Sequence, residues 1–240
     1  MKAFMADDFL LTNDTAVEIF SAIRGLPIID YHCHLDPAAI ANNARFSNIT
    51  ELWLAHDHYK WRLMRAHGMA ESHITGDAPD HEKFAAWART LEIAIGNPLY
   101  HWSHMELREY FGWDKPLTAE NAAQAYLHCN AQIQQDDFCV HALLKRARVA
   151  WLATTDDPAD TLAHHAKLKA DAPPGLAQVL PTFRPGVLLD PAHPAFADYI
   201  KKLGTAAGMM IADWDDLLAA LDNRLYFFAA QGCILSDHSL

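Results

Sequence analysis

The sequence predicts an α/β chain of βα units on a parallel sheet, the arrangement that closes into an eight-stranded α/β barrel. Three observations carry this. Short segments with apolar cores at 28–34, 148–155, 177–183 and 232–237 are separated by helical ones, as expected of parallel strands buried on both faces. Polar residues gather at the C-terminal ends of all four: His32 and His34, Thr154 to Asp157, Arg184, and Asp237 with His238. In barrels, that rim is where catalytic sites are built. Finally, 240 residues would just accommodate one barrel.

Taken in order, Asn13, Asp14 and Thr15 offer N-caps for a helix through Ala16, Ile19, Phe20 and Ile23, closed by Gly25 and Pro27. Ile28 and Ile29 begin the first strand. From Pro37 to Arg146 the pattern is helical, with apolar residues at three- and four-residue spacing in 58–67, 80–95, 102–111, 118–134 and 138–147. Gly68, Gly76, Gly96-Asn97-Pro98, Gly112 and Pro116 punctuate it. This stretch is too long for an ordinary barrel loop and is read as a helical insertion. RVAWLATT is the second strand, and Asp156-Asp157-Pro158 is expected to open the following helix. AQVLPTF is the third strand, helices near 194–203 and 213–230 follow, and GCILSD is the fourth. The expected organisation is 1–36 for the N-terminal helix and first strand, 37–147 for the insertion, and 148–240 for strands two to four with their helices.

Composition excludes several classes of function. Nineteen Lys and Arg against thirty Asp and Glu leave a net charge of −11, which argues against nucleic-acid and anionic-membrane partners. An anionic ligand must therefore be held by a few local arginines. The four cysteines form no CxxC pair, so neither a disulfide scaffold nor a cysteine zinc site is suggested. The acidic N-terminus is unlike a signal peptide and no apolar run reaches membrane-span length, so the cytoplasm is the expected compartment. Fifteen histidines stand out, because histidine both ligates metals and exchanges protons near neutral pH.

His32-Cys33-His34 closes the first strand. Side chains alternate along a strand, so residues i and i+2 share a face and both imidazoles converge on one divalent cation while Cys33 turns into packing. Asp30 and Tyr31 are candidates to orient the rings. His56-Asp57-His58-Tyr59-Lys60-Trp61-Arg62 admits two readings. One is an amphipathic helix with Trp61 and Met64 buried and Lys60 and Arg62 in solvent. In the other, His58 and Tyr59 exchange protons or hydrogen bonds with a polyhydroxylated ligand and Arg62 clamps a carboxylate. Arg184, flanked by prolines in PTFRP, suits either bidentate carboxylate binding or a structural ion pair. Asp156 and Asp157 read as a helix cap. Asp237 and His238 stand where they could act at the rim. His164 and His165 read as surface or satisfied core residues.

The motifs DYHCHL, HDHYKWRLMR, GNPLYHWSHMELREYFG, TTDDP, PTFRP and GCILSDHSL stand in the order and spacing of the bacterial uronate (glucuronate) isomerases of the amidohydrolase superfamily. From about residue 10 to residue 240 the chain resembles the N-terminal half of that family. The resemblance implies a metal-dependent aldose–ketose isomerisation of D-glucuronate to D-fructuronate and of D-galacturonate to D-tagaturonate. The implied fold is the first half, about four βα units, of a distorted (β/α)8 barrel with a large helical insertion after strand one. By position, His32 and His34 resemble the metal ligands, for a divalent cation and zinc in particular. Tyr59 and Asp237 resemble catalytic groups, and His58, Arg62 and Arg184 resemble substrate-binding ones. The implied partner is a small hexuronate; a homo-oligomer is left open.

Two departures shape the expectation. The family usually follows PTFRP with an acidic residue, whereas Gly186 stands here, so the partner that orients Arg184 is expected to be missing. The later strands, with another His, the Asp that completes the metal shell and a second substrate Arg, lie outside this sequence. The C-terminal half of the barrel is thus expected to be absent, the last strand to leave an exposed edge, and the chain alone to bind metal weakly and to be inactive. The alternatives are a metal hydrolase of the same superfamily, which shares the HxH pair, and a non-catalytic half-barrel that binds a partner through its open edge.

Overall fold

A computed structural model describes residues 4–238. Along the chain the elements are α1 (Asp14–Ile23), β1 (Ile28–Asp30), α2 (Pro37–Ala41), α3 (Ile49–Leu54), α4 (His58–Ala66), α5 (Asp80–Ile93), α6 (Pro98–Phe111) and α7 (Ala122–Ile133). Then come α8 (Val140–Arg146), β2 (Val149–Ala153), α9 (Ala163–Asp171), β3 (Gln178–Leu180), α10 (Phe196–Ala207) and α11 (Trp214–Ala230). The fold is α/β, mostly helical, with a small parallel sheet. Among the described residues no helix is long and apolar enough to cross a membrane.

The chain divides into two compact units. One comprises Met1–Gly25 with Arg45–Cys139, the other Leu26–Ala44 with Val140–Leu240. The first is helical. Its apolar positions recur at helical spacing, and α3, α5 and α7 bury Trp53, Phe84, Trp87, Leu91, Ala125, Cys129 and Ile133, with Trp53 stacked on Phe84. Asn13 caps α1 through the amide of Ala16, and Gly112, at φ +63°, ends α6 in the left-handed conformation that glycine adopts without strain. His104 is a satisfied core histidine: its Nδ1 pairs with the Tyr100 carbonyl at 2.7 Å and its Nε2 accepts from the Leu117 amide at 2.8 Å.

The second unit holds the sheet, in order β1-β2-β3 with both pairs parallel. Helices α2, α8 and α9 contribute Ile40, Leu144 and Leu168 to a core with Cys33, Leu152 and Val179. The sequence predicts strands buried on both faces; instead Ile28, Ile29, Ala150 and Gln178 are exposed, because that helical layer covers one face and β1 is an edge. The expected fourth strand is a single parallel bridge from Ser236 to Phe183. The expected helix at Pro158 begins only at Ala163. The acidic residues there serve local turns instead: Asp157 accepts from the Ala159 amide and Asp160 from the Leu162 amide.

Candidate active site

His32 and His34 follow the end of β1, where the chain leaves the sheet. Cys33 between them is buried, its amide bonded to the Ala153 carbonyl, and burial pushes its thiol up to about 11. The expected strand through His34 ends at Asp30, so these residues lie beyond the sheet, yet the thiol packs and the two imidazoles face each other as expected. Their Nε2 atoms approach to 3.2 Å, with the rings edge to face at 5.0 Å between centroids. Two nitrogens bound to one tetrahedral zinc, each ~2.0–2.1 Å from it, would lie about 3.3 Å apart. The pair thus fits two corners of such a site. Among the described residues, no group of three His, Cys, Asp or Glu side chains is arranged to hold a metal.

Arg184 and Asp237 stand beside this pair. The Arg184 Nη1 donates to Asp237 Oδ2 at 2.9 Å, and the same oxygen lies 3.4 Å from His32 Nδ1. Backbone bonds set the placement: the Asp237 amide donates to the Phe183 carbonyl and the Arg184 amide to that of Asp156. The missing partner expected from Gly186 is supplied from elsewhere in the chain, by Asp237. Of the guanidinium's five donors, the ion pair uses one. His238 is exposed at the end of the same segment.

At the ends of β2 and β3 lies a polar cluster that the sequence did not reveal; of the two readings of His165, surface or satisfied core, the second holds. Asp156 and His165 are buried with Thr154 and Thr182, so Asp156 is no helix cap. Thr154 Oγ1 donates to Asp156 Oδ2 at 2.7 Å and lies 2.8 Å from His165 Nε2, and the Thr182 amide donates to Asp156 at 3.1 Å. Burial pushes the Asp156 carboxyl up, against its hydrogen bonds, and the His165 imidazole down. The cluster ties the ends of β2 and β3 to α9. TTDD carried a faint signal of it, but nothing local marks His165, eleven residues from Thr154.

His58, Tyr59 and Arg62 form a separate group on α4 of the helical unit. Asp57 caps that helix, accepting from the amides of Tyr59 and Lys60. His58 and Tyr59 are exposed, their rings 4.2 Å apart, and Arg62 is exposed one turn on. The amphipathic alternative expects Lys60 in solvent; it is buried instead. Its ammonium donates to Asp57 Oδ2 at 2.6 Å and lies 5.7 and 6.0 Å from the Trp53 and Trp87 rings. Trp61 is half-buried, its indole N–H donating to the Leu54 carbonyl.

A family model described as glucuronate isomerase matches residues 1–240. The chain belongs to the glucuronate isomerase family. Uronate isomerases of Lachnospira eligens and Bacillus licheniformis are 47% and 48% identical to it over 241 aligned residues, covering 100% of this chain. Those alignments cover 51% and 50% of the relatives, so the chain spans about half the length of the curated relatives it matches. A crystal structure of uronate isomerase from Thermotoga maritima matches with a TM-score of 0.93 at 35% identity, over 99% of this chain and 52% of that one. The glucuronate isomerase structure from Caulobacter crescentus matches at 0.86 with 28% identity, over 92% and 47%.

Proposed function

We propose that this chain is the N-terminal half of a metal-dependent hexuronate isomerase. In this reading the protein interconverts D-glucuronate and D-fructuronate, and D-galacturonate and D-tagaturonate, in the cytoplasm. The sheet unit supplies the first βα units of an eight-stranded barrel, and the Arg45–Cys139 part of the helical unit belongs to the insertion after β1. The observation that carries the reading is the pair of imidazole nitrogens 3.2 Å apart at a parallel strand's end, beside an Arg–Asp pair, in a chain of this family.

His32 and His34 would hold a divalent cation, zinc by the fit of the nitrogen pair, which when bound supplies Lewis-acid stabilisation of the open-chain sugar's oxygens. Arg184 receives the uronate carboxylate, which the chain's net charge of −11 would otherwise repel. Aldose–ketose isomerisation removes the proton at C2 and delivers one to C1. Tyr59 and Asp237 are assigned that proton movement, and His58 and Arg62 hydrogen-bond the sugar.

The test is an isomerisation assay followed by NMR of the sugar. The chain is supplied with zinc, alone and fused to the region of the Bacillus licheniformis relative that lies beyond the alignment. Ketose formation by the fused protein, with little or none by the chain alone, is the expected result. No ketose from the fused protein, or hydrolysis of amide or ester substrates in its place, would overturn the reading and favour the hydrolase alternative.

A further inference from the structure

We propose that Asp237 is a positioning residue for His32: its carboxylate, clamped by Arg184, holds the imidazole with the proton on Nδ1 and the Nε2 lone pair turned toward His34. The inference rests on the reading that this histidine pair holds a metal, and assigns the carboxylate a task separate from any proton it moves on the sugar.

Three features of the geometry support it. Asp237 Oδ2 is 3.4 Å from His32 Nδ1, and an ionised carboxylate only accepts, so it favours the tautomer that places N–H at that nitrogen. In that tautomer Nε2 is a bare acceptor, the form needed of a metal ligand. The second feature is the 3.2 Å approach of the two Nε2 atoms. Two N–H groups pointing at each other across that distance would clash, so at least one nitrogen carries a lone pair there. Third, the carboxylate is held in place. Arg184 Nη1 donates to the same Oδ2 at 2.9 Å, the Asp237 amide donates to the Phe183 carbonyl, and Phe183 pairs with Ser236 in a parallel bridge. With its side chain 23% exposed, Asp237 is partly withdrawn from competing water. Arg184 is thereby linked to His32 through one oxygen atom, a connection that no spacing in the sequence shows.

The experiment uses the 240-residue chain without metal and then with zinc. Ring-nitrogen NMR at pH 8 reads the His32 tautomer, and competition with a chelator reads zinc affinity, for the unaltered chain, Asp237→Asn, Asp237→Glu and Arg184→Met. Expected are an Nδ1–H tautomer in the unaltered chain, its loss in Asp237→Asn, and a zinc affinity lower by about 10- to 100-fold in that variant. Asp237→Glu should recover part of both, and Arg184→Met should shift both less. Amide spectra report whether each variant folds; should the Asn variant fail to fold, Arg184→Met and Asp237→Glu carry the comparison. An unchanged tautomer and affinity in Asp237→Asn would overturn the proposal, because a group acting only on the sugar would leave both untouched. If the unaltered chain takes up no zinc, either alone or fused to the relative's remaining region, yet shows the Asp237-dependent tautomer, the metal reading falls and the positioning role stands. If zinc binds but the tautomer ignores residue 237, the positioning role falls alone.

Discussion

Removing the buried ammonium of Lys60 should destabilise the first turn of α4, and a double-mutant cycle with Asp57 isolates the pair. Lys60 Nζ and Asp57 Oδ2 are 2.6 Å apart, with side chains 9% and 28% exposed. At an effective dielectric of about 20, unit charges at that distance attract by roughly 6 kcal/mol. Withdrawing the ions from water costs several kcal/mol each, so a coupling of about 1–3 kcal/mol is expected for Lys60→Met with Asp57→Asn. Burial raises the Asp57 carboxyl, but the Lys60 ammonium and the helix amides outweigh it and leave it below the ordinary carboxylate range. A depressed native value means the stabilisation is present above the ordinary value of ~3.9 and is lost as pH falls through the native one. Urea unfolding of the four proteins at pH 7 gives the coupling. The same cycle should show the coupling shrink as pH is lowered below the ordinary carboxylate value of ~3.9. Ring-to-ring NOEs between His58 and Tyr59 should weaken in Lys60→Met. A coupling below about 0.3 kcal/mol at pH 7, within the range of independent sites, would refute a stabilising role for the Lys60–Asp57 pair.

Arg224 is buried and donates to the carbonyls of Pro158, Asp160 and Ala206, so Arg224→Met should cost about 3–5 kcal/mol in chemical unfolding. Arg224→Lys should recover under half of that, because one ammonium cannot reproduce the planar fork. Burial lowers the His104 imidazole, so the unfolded chain takes up its proton first. Stability should therefore fall as pH drops below the ordinary histidine value of ~6.5, with a shallower fall in His104→Gln by urea titration between pH 8 and 5. Cys33 and Cys129 are buried, and burial pushes their thiols up to about 11 and about 12. A thiol-disulfide reagent at pH 8 should therefore label the half-buried Cys233 well before either of them, as read by peptide mass.

The helices from 58 to 147 were legible because a one-sided apolar periodicity of about 3.6 residues is a local property, and Asn97 and Gly112 marked the two ends of α6 as Asn13 marked the start of α1. The short helices α2 and α3 left no such trace, since six residues or fewer hold too few repeats. Strand ends were less legible. β1 is three residues long, and the segment before Ser236 makes one bridge, because pairing depends on a neighbour remote in sequence. Lys60 and Asp156 were misplaced for a related reason. A charge in a helical or capping pattern reads as solvated unless the groups that satisfy it are known, and here they include Trp53, Trp87, His165 and Thr182.

By itself the sequence determined the chemistry available to this protein. It places two imidazoles on one face of a strand's end, a guanidinium between two prolines, and an acidic overall charge that leaves anion capture to single arginines. Those follow from residue identity and from the two-residue spacing of the histidines, which need no partner. Only the tertiary structure decided how they are joined. It set the 3.2 Å between His32 and His34, the Asp237 carboxylate shared by Arg184 and His32, 53 residues from the arginine, and the buried Thr154–Asp156–His165 cluster at the ends of β2 and β3. Hydrogen bonds and ion pairs act over about 3 Å. Which distant residues come that close is set by packing the whole chain, and no local pattern records it.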